Sequence, residues 1–173
     1  MELQLLVDWL FGIDTQAHIA AMNETGKTIA VLGSGFANIF PEENSELFHN
    51  IIQNGGLILT EYEPEEKPKL GNFPKRNRIL SGLSSGTVVI ESGYRSGANL
   101  TANIAISQGR KAFCLPCNVD SPYYGTNDLL LKGEVKLAVN IEQIIEECGI
   151  VLTNAYVDSV KRRIAEIDGL YGK

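Results

Sequence analysis

Short apolar runs alternate with amphipathic stretches along most of this chain. The runs TIAVLGSG (28–35), GLILTEY (56–62), TVVIESG (87–93) and KAFCLPC (111–117) are rich in β-branched residues and nearly continuous in apolar character. That is the pattern of parallel strands buried on both faces. VKLAV (135–139) reads as a shorter fifth strand. Between them lie helical patterns. DTQAHIAAMNETG has Asp14 as its N-cap and stops at Gly26, and NSELFHNIIQNGG sets Leu47, Phe48, Ile51 and Ile52 on one face before Gly55-Gly56. NLTANIAISQG repeats Leu100, Ile104 and Ser107 and closes at Gly109. YVDSVKRRIAEI repeats Val157, Val160, Ile164 and Ile167, an apolar face that must pack on something. Strands separated by helical stretches of this length predict βαβ units, a parallel sheet and right-handed crossovers. No repeat or low-complexity linker divides the chain, so one domain is expected over 1–173, with an N-terminal helix over 1–11 and a C-terminal helix over 150–173.

The 173 residues are enough to bury a proper core, and 44% hydrophobic with 21% charged is ordinary for a soluble domain. No apolar run approaches the ~20 residues of a membrane span, and the opening MELQLLVDWLFGID lacks the basic head of a signal peptide. The expected location is the cytoplasm, with no membrane partner. A net charge of −6 counts against general nucleic-acid binding, yet Lys67, Lys69, Lys75, Arg76 and Arg78 crowd five of the fifteen cations into twelve residues. A focused patch on an acidic body can bind a polyanion with little indiscriminate sticking. Cys114, Cys117 and Cys148 are too few for a disulfide framework. CLPC closes a strand instead of opening a helix, so its thiols are expected to be structural. His18 and His49 lie in separate helical segments, and no metal site is expected.

Ligands of an open α/β sheet gather outside the carboxyl ends of its strands. Three strand exits are candidates. Gly33-Ser34-Gly35 fits a tight turn, but Asn38 stands where a dinucleotide fingerprint needs its third glycine. In ESGYRSGANLTAN, Ser96 and Gly97 open a helix, Thr101 lies in its first turns and Arg95 flanks it. These are the parts of an anion site, or simply of a helix cap. In FPKRNR, read as a loop, Phe73 stands beside Lys75, Arg76, Asn77 and Arg78. Rings that stack on bases and cations that meet phosphates hold single-stranded nucleic acid without reading its sequence. No catalytic constellation emerges; Glu91 is read either as a base in nucleotide hydrolysis or, better, as an acceptor of loop N–H groups.

Taken together, GIDTQAHIAAM, TIAVLGSGFANIFPEEN, GGLILTEY, NFPKRNRILSGLS, VVIESGYRSGANLTANIAISQGRKAFCLPC and GTNDLLLKG resemble the DprA/Smf family of DNA-processing proteins, over roughly residues 12 to 133. The resemblance implies a Rossmann-like three-layer α/β/α fold with a mostly parallel sheet, a homodimer, no cofactor and no established catalytic activity. It implies single-stranded DNA as ligand and a RecA-type recombinase as partner, in uptake and recombination of incoming DNA. Carried over by position, it points to Gly33, Ser34, Phe73, Lys75, Arg76, Asn77, Arg78, Ser96, Gly97 and Thr101, with Lys67 or Lys69 as a further phosphate contact; the reading of the strand exits adds Gly35 and Arg95 to the candidate set.

The chain departs from the family pattern at both ends. DWLFGID replaces the usual S-G-x-A-x-G-I-D, the arginine of the G-[ST]-R motif has no counterpart, and no winged-helix-like extension follows. The departures predict a sheet edge covered by a helix bearing Leu3, Leu6 and Trp9, or one exposed for dimerisation. Two alternatives stay open: a nucleotide-binding or nucleotide N-glycoside-hydrolysing enzyme built on the same anion loop, and a dimerising or recombinase-contacting module without a ligand.

Overall fold

The structure is a computed structural model that describes residues 5–9, 12–24, 27–152 and 158. Among the described residues six strands and six α-helices alternate: β1 Leu5–Val7, α1 Ile13–Glu24, β2 Thr28–Val31, α2 Ser45–Gln53, β3 Leu57–Leu59, α3 Asn72–Leu83, β4 Gly86–Val89, α4 Gly97–Ser107, β5 Lys111–Cys114, α5 Gly125–Leu131, β6 Lys136–Leu137 and α6 Ile141–Glu147. All strand pairs are parallel, in the orders β1-β2-β3 and β4-β5-β6. α1 and α3 both pack on β1 and β2 but continue onto different partners, α2 and α4 respectively. They therefore lie on opposite faces, and the layer order is α/β/α, the expected Rossmann-like architecture.

The five predicted strands are all present. The interior-facing residues of β2 and β5 explain why: Ala30, Val31, Ala112, Phe113 and Cys114 are almost wholly buried. One core, of Trp9, Ala30, Leu32, Leu47, Ile51 and Ile58, sits under α1 and α2. A second, of Val89, Ala102, Ala112, Cys114, Leu129 and Val135, sits under α4 and α5. Burial of such side chains contributes roughly 1.5–3 kcal/mol each against chain entropy.

Several expectations need correction. Of the N-terminal helix expected over 1–11, the described residues Leu5–Val7 are instead a strand, paired with Thr28–Ala30. Thr28 ties the pair by donating its hydroxyl to the Leu5 carbonyl at 2.8 Å, and Trp9 turns into the core instead of covering an edge. α1 begins at Ile13, so Asp14 is not the N-cap but a first-turn acid, where its charge suits the helix dipole. FPKRNR is not a loop: it opens α3, whose Pro74 falls in the first turn, where a missing N–H costs nothing. The stop at Gly26 and nearly all of the helix expected over 150–173 lie outside the described residues. No helix among the described residues is long and apolar enough to cross a membrane.

Candidate nucleic-acid interface

α3 carries the basic stretch, and helical spacing sorts it into two faces. Asn72, Arg76, Asn77, Leu80 and Ser81 turn inward and are buried, while Lys75 and Arg78 turn outward. Arg76 is only 1% exposed. Its guanidinium forms an ion pair with Asp8, donates to the Val31 carbonyl, and donates to Asn77 Oδ1 at 3.2 Å. Burial pushes the Asp8 carboxyl above its ordinary value, with the pull of Arg76 acting the other way. The expectation that Arg76 and Asn77 grip DNA is therefore corrected: both side chains are enclosed and committed to the fold. Their positions at the third and fourth residues after Phe73 put them on the inward face.

The glycine turn after β2 is shaped by close packing. A Cβ on Gly33 would stand 2.8 Å from the Phe73 ring, and one on Gly35 would stand 2.0 Å from the Glu63 carbonyl oxygen. Asn72 locks α3 onto this turn by donating to the Gly33 carbonyl at 3.0 Å. Ser34 is buried and donates its hydroxyl to the Asn38 carbonyl at 2.7 Å, while the Gly35 N–H is taken by the Glu66 carbonyl at 2.9 Å. Ser34 is thus not placed to meet a phosphate. The Phe73 ring is half-buried, 5.9 Å from the exposed Phe40 ring, and Arg76 lies 5.8 Å from its centroid. Phe40 was missed by sequence reasoning; an aromatic residue in the loop after a glycine turn was the available signal.

At the mouth of α4, Ser96 caps the helix, accepting the Asn99 N–H at 3.4 Å. Thr101 donates its hydroxyl back to the Gly97 carbonyl at 3.0 Å. Neither hydroxyl is aimed at an external anion, so the cap is realised and the two-hydroxyl anion site is corrected. Gly97 faces open space, and Arg95 is exposed on the residue before the cap.

Do the two helix mouths share one edge? Near the C-terminal end of α3, Ser81 donates to Gln108 Oε1 at 2.7 Å, Gln108 donates to the Arg78 carbonyl at 3.1 Å, and Arg110 donates to the Gly82 carbonyl at 2.7 Å. Residues 108–110 directly follow α4, so the C-termini of both helices meet. The helices run side by side in the same direction, as consecutive right-handed crossovers demand. Their N-termini, with Phe73 on one and Gly97 on the other, stand at the same end, with axes about 10 Å apart. Of the outward cations, Lys69 pairs with Glu66 and Arg78 with Glu61, whereas Lys75 forms no ion pair among the described residues.

Other chemistry recedes. His18 is buried between Thr28 Oγ1 (2.9 Å) and the Asp8 carbonyl (3.1 Å), and burial lowers its pKa to about 4. Burial pushes the Cys114 thiol up to about 11, opposite to what a redox thiolate needs. Glu91 is exposed and accepts no loop N–H among the described residues, so that expected anchor is not made.

Fold and site together define a Rossmann-like α/β protein whose strand exits bring a glycine turn, a ring-bearing basic helix and a second helix mouth to one end. The chain belongs to the DNA recombination-mediator protein A family, whose family model matches residues 10–149. DNA processing protein DprA of Bacillus subtilis is 39% identical over 136 residues, 79% of this chain and 46% of that protein. Protein Smf of Escherichia coli is 40% identical over 135 residues, 78% of this chain and 36% of its own length. The chain thus spans about half the length, or less, of these curated relatives. The X-ray structure of DprA from Streptococcus pneumoniae superposes with a TM-score of 0.76 at 34% identity, covering 88% of this chain and 53% of that one. DprA from Helicobacter pylori, described for a unique single-stranded DNA binding mode, gives 0.73 at 31% identity, covering 82% of this chain and 64% of that one.

Proposed function

We propose that this chain binds single-stranded DNA without catalysis, as part of DNA processing during uptake and recombination. The observation that carries the reading is Phe73, packed against Gly33 at the α3 mouth beside Lys75, which forms no ion pair among the described residues, at the same end as the open Gly97 of α4. A ring for a base and a cation for a phosphate are what sequence-tolerant strand binding requires. Membership in the family and the described DNA binding of the Helicobacter pylori protein support it. The contact set is Gly33, Phe73, Lys75 and Gly97, with Arg95 flanking. Arg78 and Lys69, partly neutralised by their glutamates, add less. Nothing in the surroundings of Glu91 favours nucleotide hydrolysis over this reading.

Delivery of the strand to a RecA-type recombinase, and action as a homodimer in the cytoplasm, belong to the same proposal. Leu131, Leu137, Val139 and Ile141, all exposed around the β6 edge, support dimerisation there. Titrating labelled oligo-dT at two salt concentrations tests the reading. Binding that weakens with salt, by about 0.7 log units per phosphate per log of salt, is expected. No binding at low salt defeats it.

A further inference from the structure

Three of the chain's six tyrosines surface on two loops at the α4 mouth, and no part of the reading above uses them. Tyr94 follows the exit of β4, and Tyr123 and Tyr124 precede α5; their exposures are 59%, 47% and 41%. A single exposed tyrosine is ordinary, but three grouped at one place form an exposed aromatic patch. Here the loops are fastened so that the rings stay out. Ser92 and Tyr124 form a parallel bridge, and the Gly125 N–H donates to the Ser92 carbonyl at 2.9 Å. The approach is so close that a Cβ on Gly125 would stand 2.3 Å from the Gly93 carbonyl oxygen. The result is a nearly parallel pair: the Tyr94 and Tyr124 rings lie 6.1 Å apart at 20°. Arg95 completes the group, its guanidinium 5.1 Å from the Tyr94 centroid.

The backbone at Arg95 has φ +56°, a left-handed conformation that non-glycine residues seldom adopt. Strain of this kind is held in place by its surroundings and gathers at binding sites. Arg95 forms no ion pair among the described residues. Glu91 and Asp120, both exposed, lie on the same two loops, so the net local charge is not positive. A ligand held here is therefore held mainly by its flat apolar face, with the guanidinium as a single anionic contact.

We infer that Tyr94, Tyr124 and Arg95 form a second base-stacking station for single-stranded nucleic acid, at the mouth of α4 beside the α3 mouth that bears Phe73. The inference rests on the single-stranded DNA reading above and extends it from one stacking station to two. The strand passes across the N-termini of α3 and α4, one base meeting Phe73 and a later one meeting the tyrosine pair. Its intervening phosphates meet Lys75 and Arg95. Because stacking depends little on ionic strength, the roles divide by side chain: the tyrosine rings add affinity, and Lys75 and Arg95 carry the salt dependence.

The test compares the full chain with Y94A/Y124A, Y94F/Y124F and F73A variants. Each is titrated with labelled oligo-dT and with an abasic oligomer of the same length. The expected result is a loss of about ten-fold for Y94A/Y124A on oligo-dT, the size of one lost stacking ring. Its salt slope should be unchanged, its abasic binding unaltered, and Y94F/Y124F should match the parent. Parent-like binding by Y94A/Y124A beside a weakened F73A overturns the second station and leaves the first reading standing. A parent chain that binds no oligomer overturns both. Photocrosslinking the parent chain to an oligomer carrying 5-iodouracil gives an answer independent of any variant. An adduct on Tyr94 or Tyr124 is expected, and adducts confined to other residues overturn the inference.

Discussion

Arg76, on the inward face of α3, is ion-paired with Asp8, the residue that follows β1. The pair ties the crossover helix to the first strand, and the same guanidinium caps the carboxyl end of β2 through the Val31 carbonyl. Removing one member of a buried ion pair leaves the other charge stranded, at a cost of about 3–5 kcal/mol. R76A is therefore expected to lower unfolding free energy by that amount in urea melts. A variant that keeps its stability and loses only DNA binding would return Arg76 to the interface.

The two glycines of the β2 exit should respond unequally to a methyl group. At Gly33 the obstacle is the edge of the Phe73 ring, which can shift; at Gly35 it is the Glu63 and Pro64 carbonyls, which cannot shift without moving the loop. We expect G33A to cost about 1–3 kcal/mol and to disturb ligand binding through the displaced ring. G35A should cost more. Thermal melts of the two variants check the order, and equal midpoints would refute it.

His18 makes stability depend on pH in a definite direction. Its folded pKa of about 4 lies below the ordinary 6.5, so the imidazole folds neutral and resists protonation. Its contribution is whole above pH 6.5 and is lost as pH falls toward 4. At pH 5 the loss is about 2 kcal/mol. The raised Asp8 carboxyl acts in the opposite sense, so the useful quantity is a difference. Between pH 7 and pH 5 the parent should lose about 2 kcal/mol more than H18Q, measured by denaturant unfolding.

Lys75 and Arg78 stand on the same outward face, but among the described residues only Arg78 is ion-paired, with Glu61. K75A should lower the log–log salt slope for oligo-dT by about 0.7, the value for one lost phosphate contact. R78A should change it by less. Equal slopes in the parent and K75A would remove Lys75 from the strand's path.

How far could the sequence be read? The strands were legible because parallel strands buried on both faces leave continuous apolar runs, as TIAV and KAFC do. β1 was not, because LLV suits a helix as well as a strand, and only its pairing with β2 decides. α3 was hidden by Gly71, Pro74 and three cations, which together look like a solvated loop. A proline in the first turn and cations on an outer face are both compatible with a helix. The site residues divide the same way. Among the proposed contacts, the accessibility of Phe73, Lys75 and Gly97 agrees with local pattern, whereas the burial of Arg76 depends on Asp8, sixty-eight positions away in the chain, and no local rule reveals it. Ser96 shows the ambiguity of a serine before a helix: cap and anion ligand read alike until its hydroxyl is seen to accept the Asn99 N–H.

The central claim is that one end of the molecule, where α3 and α4 both begin, receives the strand. Backbone amide shifts recorded while oligo-dT is added to the labelled protein test it most directly. The account predicts the largest changes at Gly33, Phe73, Lys75, Arg95 and Gly97, with little change at Gln108 and Arg110 at the opposite end of α4. Changes concentrated on α1 and α2, or at Gln108 and Arg110, would contradict it.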